Sequence, residues 1–214
     1  AYQNLIKSGF NDELIKKLRV VRNPISEISL YNTKYFDKKR VFIAVGRWED
    51  VRQKRIDRLL DAYKQYLAIS KRPIELRIVG TVPNKFLSNC NIPSVTFLGR
   101  LTSEQVQQQY EMASSLVMSS DWEGFPNVIN EALANGCSVV STPFPAAKDA
   151  IGGGIRGVIS LEFSSTELAR AMYIEEQMLR GGFRNPEFIR SSWLNELHIT
   201  GWHSFLSTLL CKNF

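Results

Sequence analysis

Cysteine and histidine are scarce: three cysteines, Cys90, Cys137 and Cys211, and two histidines, His198 and His203, in 214 residues. The cysteines are odd in number, far apart and without neighbouring histidines, so the sequence offers neither a disulfide framework nor zinc-ligand spacing. Reduced, mostly buried thiols are expected, and the histidines, set among apolar residues near the end, read as packing or capping groups. No apolar run approaches the length that spans a bilayer. The opening residues AYQNLIKSGFNDELIKKLRV mix charge with apolar side chains as no signal peptide does. The expected location is therefore the cytoplasm. No GxGxxG follows the first strand-like run, which removes the fingerprint of a dinucleotide oxidoreductase. Low-complexity segments and internal repeats are also missing.

Charge is present but uneven. Residues 1–80 hold 18 Lys and Arg against 9 Asp and Glu, whereas residues 81–214 hold 9 against 12, for a net charge of +6. A basic first part attracts nucleic acid, an anionic membrane surface or a phosphorylated small molecule. Aromatic and basic residues do not interleave there, so nucleic acid is not an expected partner. Most of this charge reads as a solvated surface.

From Val41 onward, short β-branched runs alternate with amphipathic stretches: VFIAVG, KRIDRLLDAYKQYLAI, IELRIVG, VTFLG, SEQVQQQYEMA, SLVMSS, a helix opening at Pro126, and CSVVST. Unbroken apolar runs suit strands buried on both faces of a parallel sheet. Ile56, Leu59, Leu60, Tyr63 and Leu67 recur at helical spacing and give one helix a single apolar face. The pattern predicts an α/β fold, a Rossmann-like doubly wound parallel sheet. Residues 41–185 are expected to form this domain. Residues 1–40, with a short helix near Asn11–Lys17 and the strand-like LRVVRNP, read as a lead-in from a preceding domain. Residues 186–214 read as C-terminal helices, with Trp193, Phe205 and Leu209 available for burial. The start at Ala1 suggests a piece of a longer protein.

In such a sheet, ligands bind beyond the carboxyl ends of the strands. Three of the loops there begin with glycine, at Gly46, Gly80 and Gly99, which lets backbone approach a ligand or adopt a positive φ. The fourth, SDWEGFPN, leads into a helix whose positive N-terminal end attracts anions. Amides near Gly124, Phe125, Asn127 and Val128 are placed to meet phosphate. Glu131, one and a half turns on, is an acceptor suited to the paired hydroxyls of a ribose. Glu123, ahead of the helix, suits hydroxyls of a second sugar. Arg47 and Lys54 supply cations for a diphosphate and for the charge that develops on its leaving oxygen. Arg52, Arg55 and Arg58 crowd the same segment and read mostly as surface charge, while Trp48, Asp50 and Trp122 read as structural. Base recognition is expected from backbone near Val82 and Leu101. Read without a family, the same pattern also fits a non-catalytic sugar-nucleotide sensor, and the charge fits a basic nucleic-acid-binding domain.

VGRWEDVRQK together with SSDWEGFPNVINEALANGCSVVSTPFPAAKDAI resembles the donor-binding half of the retaining GT-B glycosyltransferases of family four, over about residues 41–160. The resemblance implies the C-terminal half of such an enzyme and a nucleotide-diphosphate sugar donor, UDP or GDP. It places Glu131 on the ribose, Glu123 near the transferred sugar, and Arg47 and Lys54 on the diphosphate. It further implies retention of configuration, no metal and no cofactor beyond the donor. The acceptor, a sugar or lipid-linked glycan, would arrive through an N-terminal domain with no counterpart here. The expected setting is polysaccharide, lipopolysaccharide or glycolipid synthesis, with peripheral contact at the inner face of the membrane. On this reading the isolated chain transfers little or nothing. The sequence departs from the family pattern at Arg55, where glycine often follows the lysine, at Pro126, which replaces a frequent glycine, and at Lys148 and Asp149. These departures leave sugar specificity open.

Overall fold

A computed structural model describes residues 11, 13, 23, 38–88 and 90–200, the last three by backbone alone. Of the expected N-terminal helix and LRVVRNP strand only Asn11, Glu13 and Asn23 are described, and Phe205, Leu209, Cys211, His203 and the His198 side chain lie outside the described residues. The chain divides into two units, residues 1–24 with 196–214, and residues 25–195. The sheet and the candidate site belong to the second.

Six parallel strands form that sheet: β1 (Val41–Val45), β2 (Glu75–Val79), β3 (Val95–Gly99), β4 (Ser115–Met118), β5 (Ser138–Ser141) and β6 (Gly157–Ile159). Their spatial order is β3-β2-β1-β4-β5-β6. The chain builds outward from β1 to β3, then returns to lay β4 on the other side of β1, creating a switch point between β1 and β4. The connections carry α1 (Val51–Lys54), α2 (Ile56–Ile69), α3 (Asn84–Leu87), α4 (Ser103–Met112), α5 (Asn127–Ala134) and α6 (Pro145–Ile151), and α7 (Ser165–Arg180) and α8 (Pro186–Thr200) follow β6. Pairing of β4 with β5 and β5 with β6 is in register along each strand.

Burial follows position in the sheet. Every residue of β4 and β5 is buried, as are the first four of β1, whereas the edge strand β3 is half-exposed. The serines of the central strands are not left unsatisfied: the Ser115 and Ser138 hydroxyls lie 2.7 Å apart, and Ser138 donates to the buried Glu175 carboxylate at 2.6 Å. Arg184 closes that network on Glu175 at 2.8 Å. The apolar face of α2, with Ile56, Leu59, Tyr63 and Tyr66 fully buried, packs in one core with Phe42 and Leu76 of the sheet and Leu168 and Met172 of α7. Each such side chain contributes about 1.5–3 kcal/mol by leaving water. The Tyr66 hydroxyl donates to Glu176 at 2.8 Å and accepts from the Ile74 amide at 2.8 Å, tying α7 to the turn into β2.

The expected strands up to Ser141 and the helices between them are present. The alternation continues past Thr142 with α6, β6 and α7, elements the sequence reading does not assign. The helix expected to open at Pro126 begins one residue later. Pro126 is its N-cap, in extended backbone at φ −73° and ψ 128°, so the first helical residue is Asn127. Residues 186–195 of α8 share a unit with the sheet, and Ile189 and Trp193 are buried.

Candidate functional site

The carboxyl ends of β1, β2 and β3 are stitched together by backbone. The Gly46 amide donates to the Val79 carbonyl at 3.1 Å and the Gly80 amide to the Gly99 carbonyl at 2.7 Å. Gly80 has φ +117°, and a Cβ there would lie 1.9 Å from the Gly46 carbonyl oxygen. Only glycine permits that approach. Trp48 folds under the loop, buried, with Nε1 donating to the Val79 carbonyl at 2.9 Å. This fixes Arg47 on the exposed side of the β1 loop.

The next turn presents Lys54. Asp50 caps α1 by accepting from the Gln53 amide at 3.3 Å, and α1 ends after one turn at Arg55, in left-handed conformation (φ 53°, ψ 55°). Lys54 is thus the last residue of α1, before α2 begins. Its Nζ meets Glu123 Oε1 at 2.5 Å, with both side chains largely covered. Glu123 also accepts from Ser120 Oγ at 2.8 Å and from Gln53 Nε2 at 3.2 Å. The loops after β1 and β4 therefore meet through the side chains of Lys54 and Glu123, across the switch point.

Of the residues expected to bind a donor, Gly46, Arg47, Lys54, Leu101, Glu123, Asn127 and Val128 line one cleft of about 590 Å³. Arg47, Lys54 and Arg100 face Glu49 and Glu123 in it, leaving an excess of positive charge. A helix N-terminus opens into the same space, since Pro126, Asn127 and Val128 form one wall. Arg100 and Thr81 line the cleft without having been anticipated. The signal was available: each follows a strand-end glycine, as Arg47 follows Gly46.

Four expected residues do not line the cleft. Val82 is buried in the hydrophobic core, and its neighbour Thr81 takes the cleft position. Gly124 is exposed beside it. Phe125 turns its ring onto Trp193 of α8, stacked at 6.1 Å between centroids, because an apolar side chain here has a buried partner. Glu131 sits four residues after Asn127, on the same face of α5 one turn deeper. There it is half-buried against Tyr110 of α4, whose ring is fully covered. Burial pushes the Glu131 carboxyl above its ordinary value, and the Tyr110 hydroxyl partly offsets this.

Two assignments of the sequence reading need correction. Arg58 is no surface charge: it is buried, donates to the Ser119 carbonyl at 2.8 Å and pairs with Asp121 at 2.5 Å. Arg55 likewise pairs with Asp57 and Asp121, at 2.8 and 3.0 Å. Trp122, expected to be structural, is 56% exposed. Asp50 and Trp48 do have structural roles, as cap and as buried support. Cys137 is buried, and Cys90 is partly covered.

A second groove of about 590 Å³ lies between α2 and the segment around α3, lined by Leu60, Lys64, Leu67, Phe86 and Ile92 among others. It shares no lining residue with the first cleft. Among the described residues, no group of three His, Cys, Asp or Glu is placed to hold a metal, and no helix is long and apolar enough to cross a membrane.

The family model of glycosyl transferases group 1 matches residues 39–174. Lipopolysaccharide 1,6-galactosyltransferase of Escherichia coli (strain K12) is 26% identical over 223 residues, covering 92% of this chain and 60% of that protein. Among solved structures, the apo form of the lipopolysaccharide outer core galactosyltransferase WaaB matches with a TM-score of 0.71 at 20% identity, over 99% of this chain and 59% of that one. Anabaena HepE, solved in complex with UDP and glucose, matches with a TM-score of 0.70 at 19% identity, over 99% and 60%. The chain thus spans about six tenths of the length of these proteins.

Proposed function

The chain belongs to the glycosyl transferases group 1 family, and from that premise we propose that it is the donor-binding domain of a glycosyltransferase that takes its sugar from a nucleoside diphosphate sugar. The observation that carries this reading is the convergence of Arg47, Lys54, Glu123 and the first turn of α5 on one cleft at the β1/β4 switch point. An ammonium has three donors, so Lys54 held by Glu123 keeps two for a phosphate oxygen. Arg47, which lines the same cleft, adds a forked donor, and the N-terminus of α5 adds amides and a positive dipole end. When the sugar–phosphate bond breaks, negative charge grows on the diphosphate oxygen. These groups are already in place to meet it, without reorganisation.

Glu131 accepts the ribose hydroxyls from one turn down α5, and Glu123 faces the transferred sugar. Leu101, Thr81 and Arg100, beyond the phosphates, form the base end. Uridine is favoured over guanosine because HepE was solved with UDP. Transfer with retention of configuration belongs to this proposal and rests on the resemblance of the Glu123–Glu131 stretch. So does an acceptor sugar or lipid-linked glycan brought by a further domain at the inner membrane face, which the name of the E. coli relative points to as lipopolysaccharide. A panel of UDP, GDP and ADP and their sugars, read by thermal shift against Lys54→Ala, tests the nucleotide part of the reading.

A further inference from the structure

Arg55 adopts a left-handed backbone conformation, at φ 53° and ψ 55°, which non-glycine residues seldom occupy. Such a conformation persists where surrounding interactions over-determine it. At Arg55 they do. Its Nη2 donates to Asp57 at 2.8 Å and its Nη1 to Asp121 at 3.0 Å. The other oxygen of Asp121 is held by Arg58 at 2.5 Å, and Arg58 also grips the Ser119 carbonyl.

The same two segments are joined along their backbones. The Asp121 amide donates to the Gln53 carbonyl at 2.9 Å, and the Ser119 hydroxyl donates to the Lys54 carbonyl at 2.7 Å. Gln53 Nε2 reaches the Trp122 carbonyl at 3.0 Å. Arg55 directly follows Lys54, and Asp121 stands two residues before Glu123. The arginine–aspartate pair therefore locks the two loops immediately behind the pair that faces the cleft.

We propose that Arg55 and Asp121 are positioning residues, a clamp across the switch point that holds Lys54 and Glu123 in the arrangement a nucleoside diphosphate requires. The inference rests on the reading of Lys54 and Glu123 as donor-binding groups. Its physical content is preorganisation: with both loops fixed before the ligand arrives, less side-chain and loop freedom is lost on binding. Arg58, buried and bonded to Asp121 and Ser119, anchors the clamp to α2.

Calorimetric titration with UDP and GDP of the wild-type chain, Arg55→Gly, Arg55→Lys, Asp121→Asn and the double variant Arg55→Gly/Asp121→Asn tests this. Glycine keeps the left-handed junction without strain and removes only the cationic arms, so the melting temperature of Arg55→Gly should stay near that of the wild type. The expected result is about five- to tenfold weaker nucleotide binding in Arg55→Gly and at least that in Asp121→Asn, which also gives up the Arg58 pair, with no loss in the double beyond that of Asp121→Asn, because either single change already cuts the link between the two residues. Arg55→Lys, retaining one charged arm, should recover part of the affinity. Wild-type binding with Arg55→Gly within about twofold of it, or losses that multiply in the double variant, would overturn the clamp. Failure of the wild-type chain to bind either nucleotide is a different result, which overturns the donor reading and the clamp with it. If Asp121→Asn unfolds, the comparison of Arg55→Gly with Arg55→Lys decides the matter alone.

Discussion

Lys54 Nζ lies 2.5 Å from Glu123 Oε1, joining residues 69 positions apart in sequence. The glutamate side chain is only 8% exposed. This contact makes the loops after β1 and β4 one unit, and it turns two residues that look independent in the sequence into a coupled pair.

The coupling is measurable. Lys54→Met leaves a covered carboxylate with only Ser120 and Gln53 as partners, which should cost about 1–3 kcal/mol of stability. The double variant Lys54→Met/Glu123→Gln removes the charge as well and should recover most of that loss. Urea denaturation of the four proteins checks it. A double variant whose loss equals the sum of the two single losses would mean that the pair contributes no coupling.

Glu131 should show a trade between stability and function. Its folded-state pKa is raised by burial, so the native chain holds the proton more tightly than the unfolded one. The native state therefore gains stability as pH falls through the raised value, and the gain is complete below the ordinary carboxyl value. At neutral pH the ionised group is a net cost. Glu131→Gln should accordingly melt higher than the wild type near pH 7, with the difference shrinking as pH falls toward about 4. The same variant should lose nucleotide affinity. Melting curves across that range, paired with a binding assay, separate the two effects.

The strand-end glycines should respond in opposite ways. Gly80→Ala combines a forbidden φ with a clash against the Gly46 carbonyl and should destabilise the fold by about 3 kcal/mol or more. At Gly46 a Cβ meets the Trp48 ring at 3.5 Å and Lys54 Cδ at 3.8 Å, both ordinary contacts, and φ is unremarkable. Gly46→Ala should leave stability within about 1 kcal/mol and weaken nucleotide binding by placing a methyl in the cleft. Thermal unfolding with and without nucleotide distinguishes the two cases.

What the sequence makes legible follows from how each feature is encoded. VFIAV and SLVM declare themselves as strands because a parallel sheet buries both faces and so needs unbroken apolar runs. The face of α2 is legible from its spacing. β6 is three residues long, behind the glycines at 152–154, and three residues carry no period to read. Arg58 is the clearest failure: in sequence it is one cation among several, and its burial makes sense only once Asp121, distant in the chain, is brought beside it. The site divides in the same way. Arg47, Lys54 and Glu123 are readable from strand-end position and from the stretch they share with the family. That Phe125 leaves the cleft for Trp193, and that Thr81 rather than Val82 faces it, depends on which side chains find apolar partners in the folded domain.

The most direct test of the account is a calorimetric titration of the chain with UDP and GDP, run in parallel on Glu131→Ala. A saturable heat with one of the two nucleotides, abolished in a Glu131→Ala protein that still unfolds cooperatively, is the predicted result. No binding of either UDP or GDP, or binding that survives the substitution unchanged, would contradict the assignment of this cleft to a nucleotide-sugar donor.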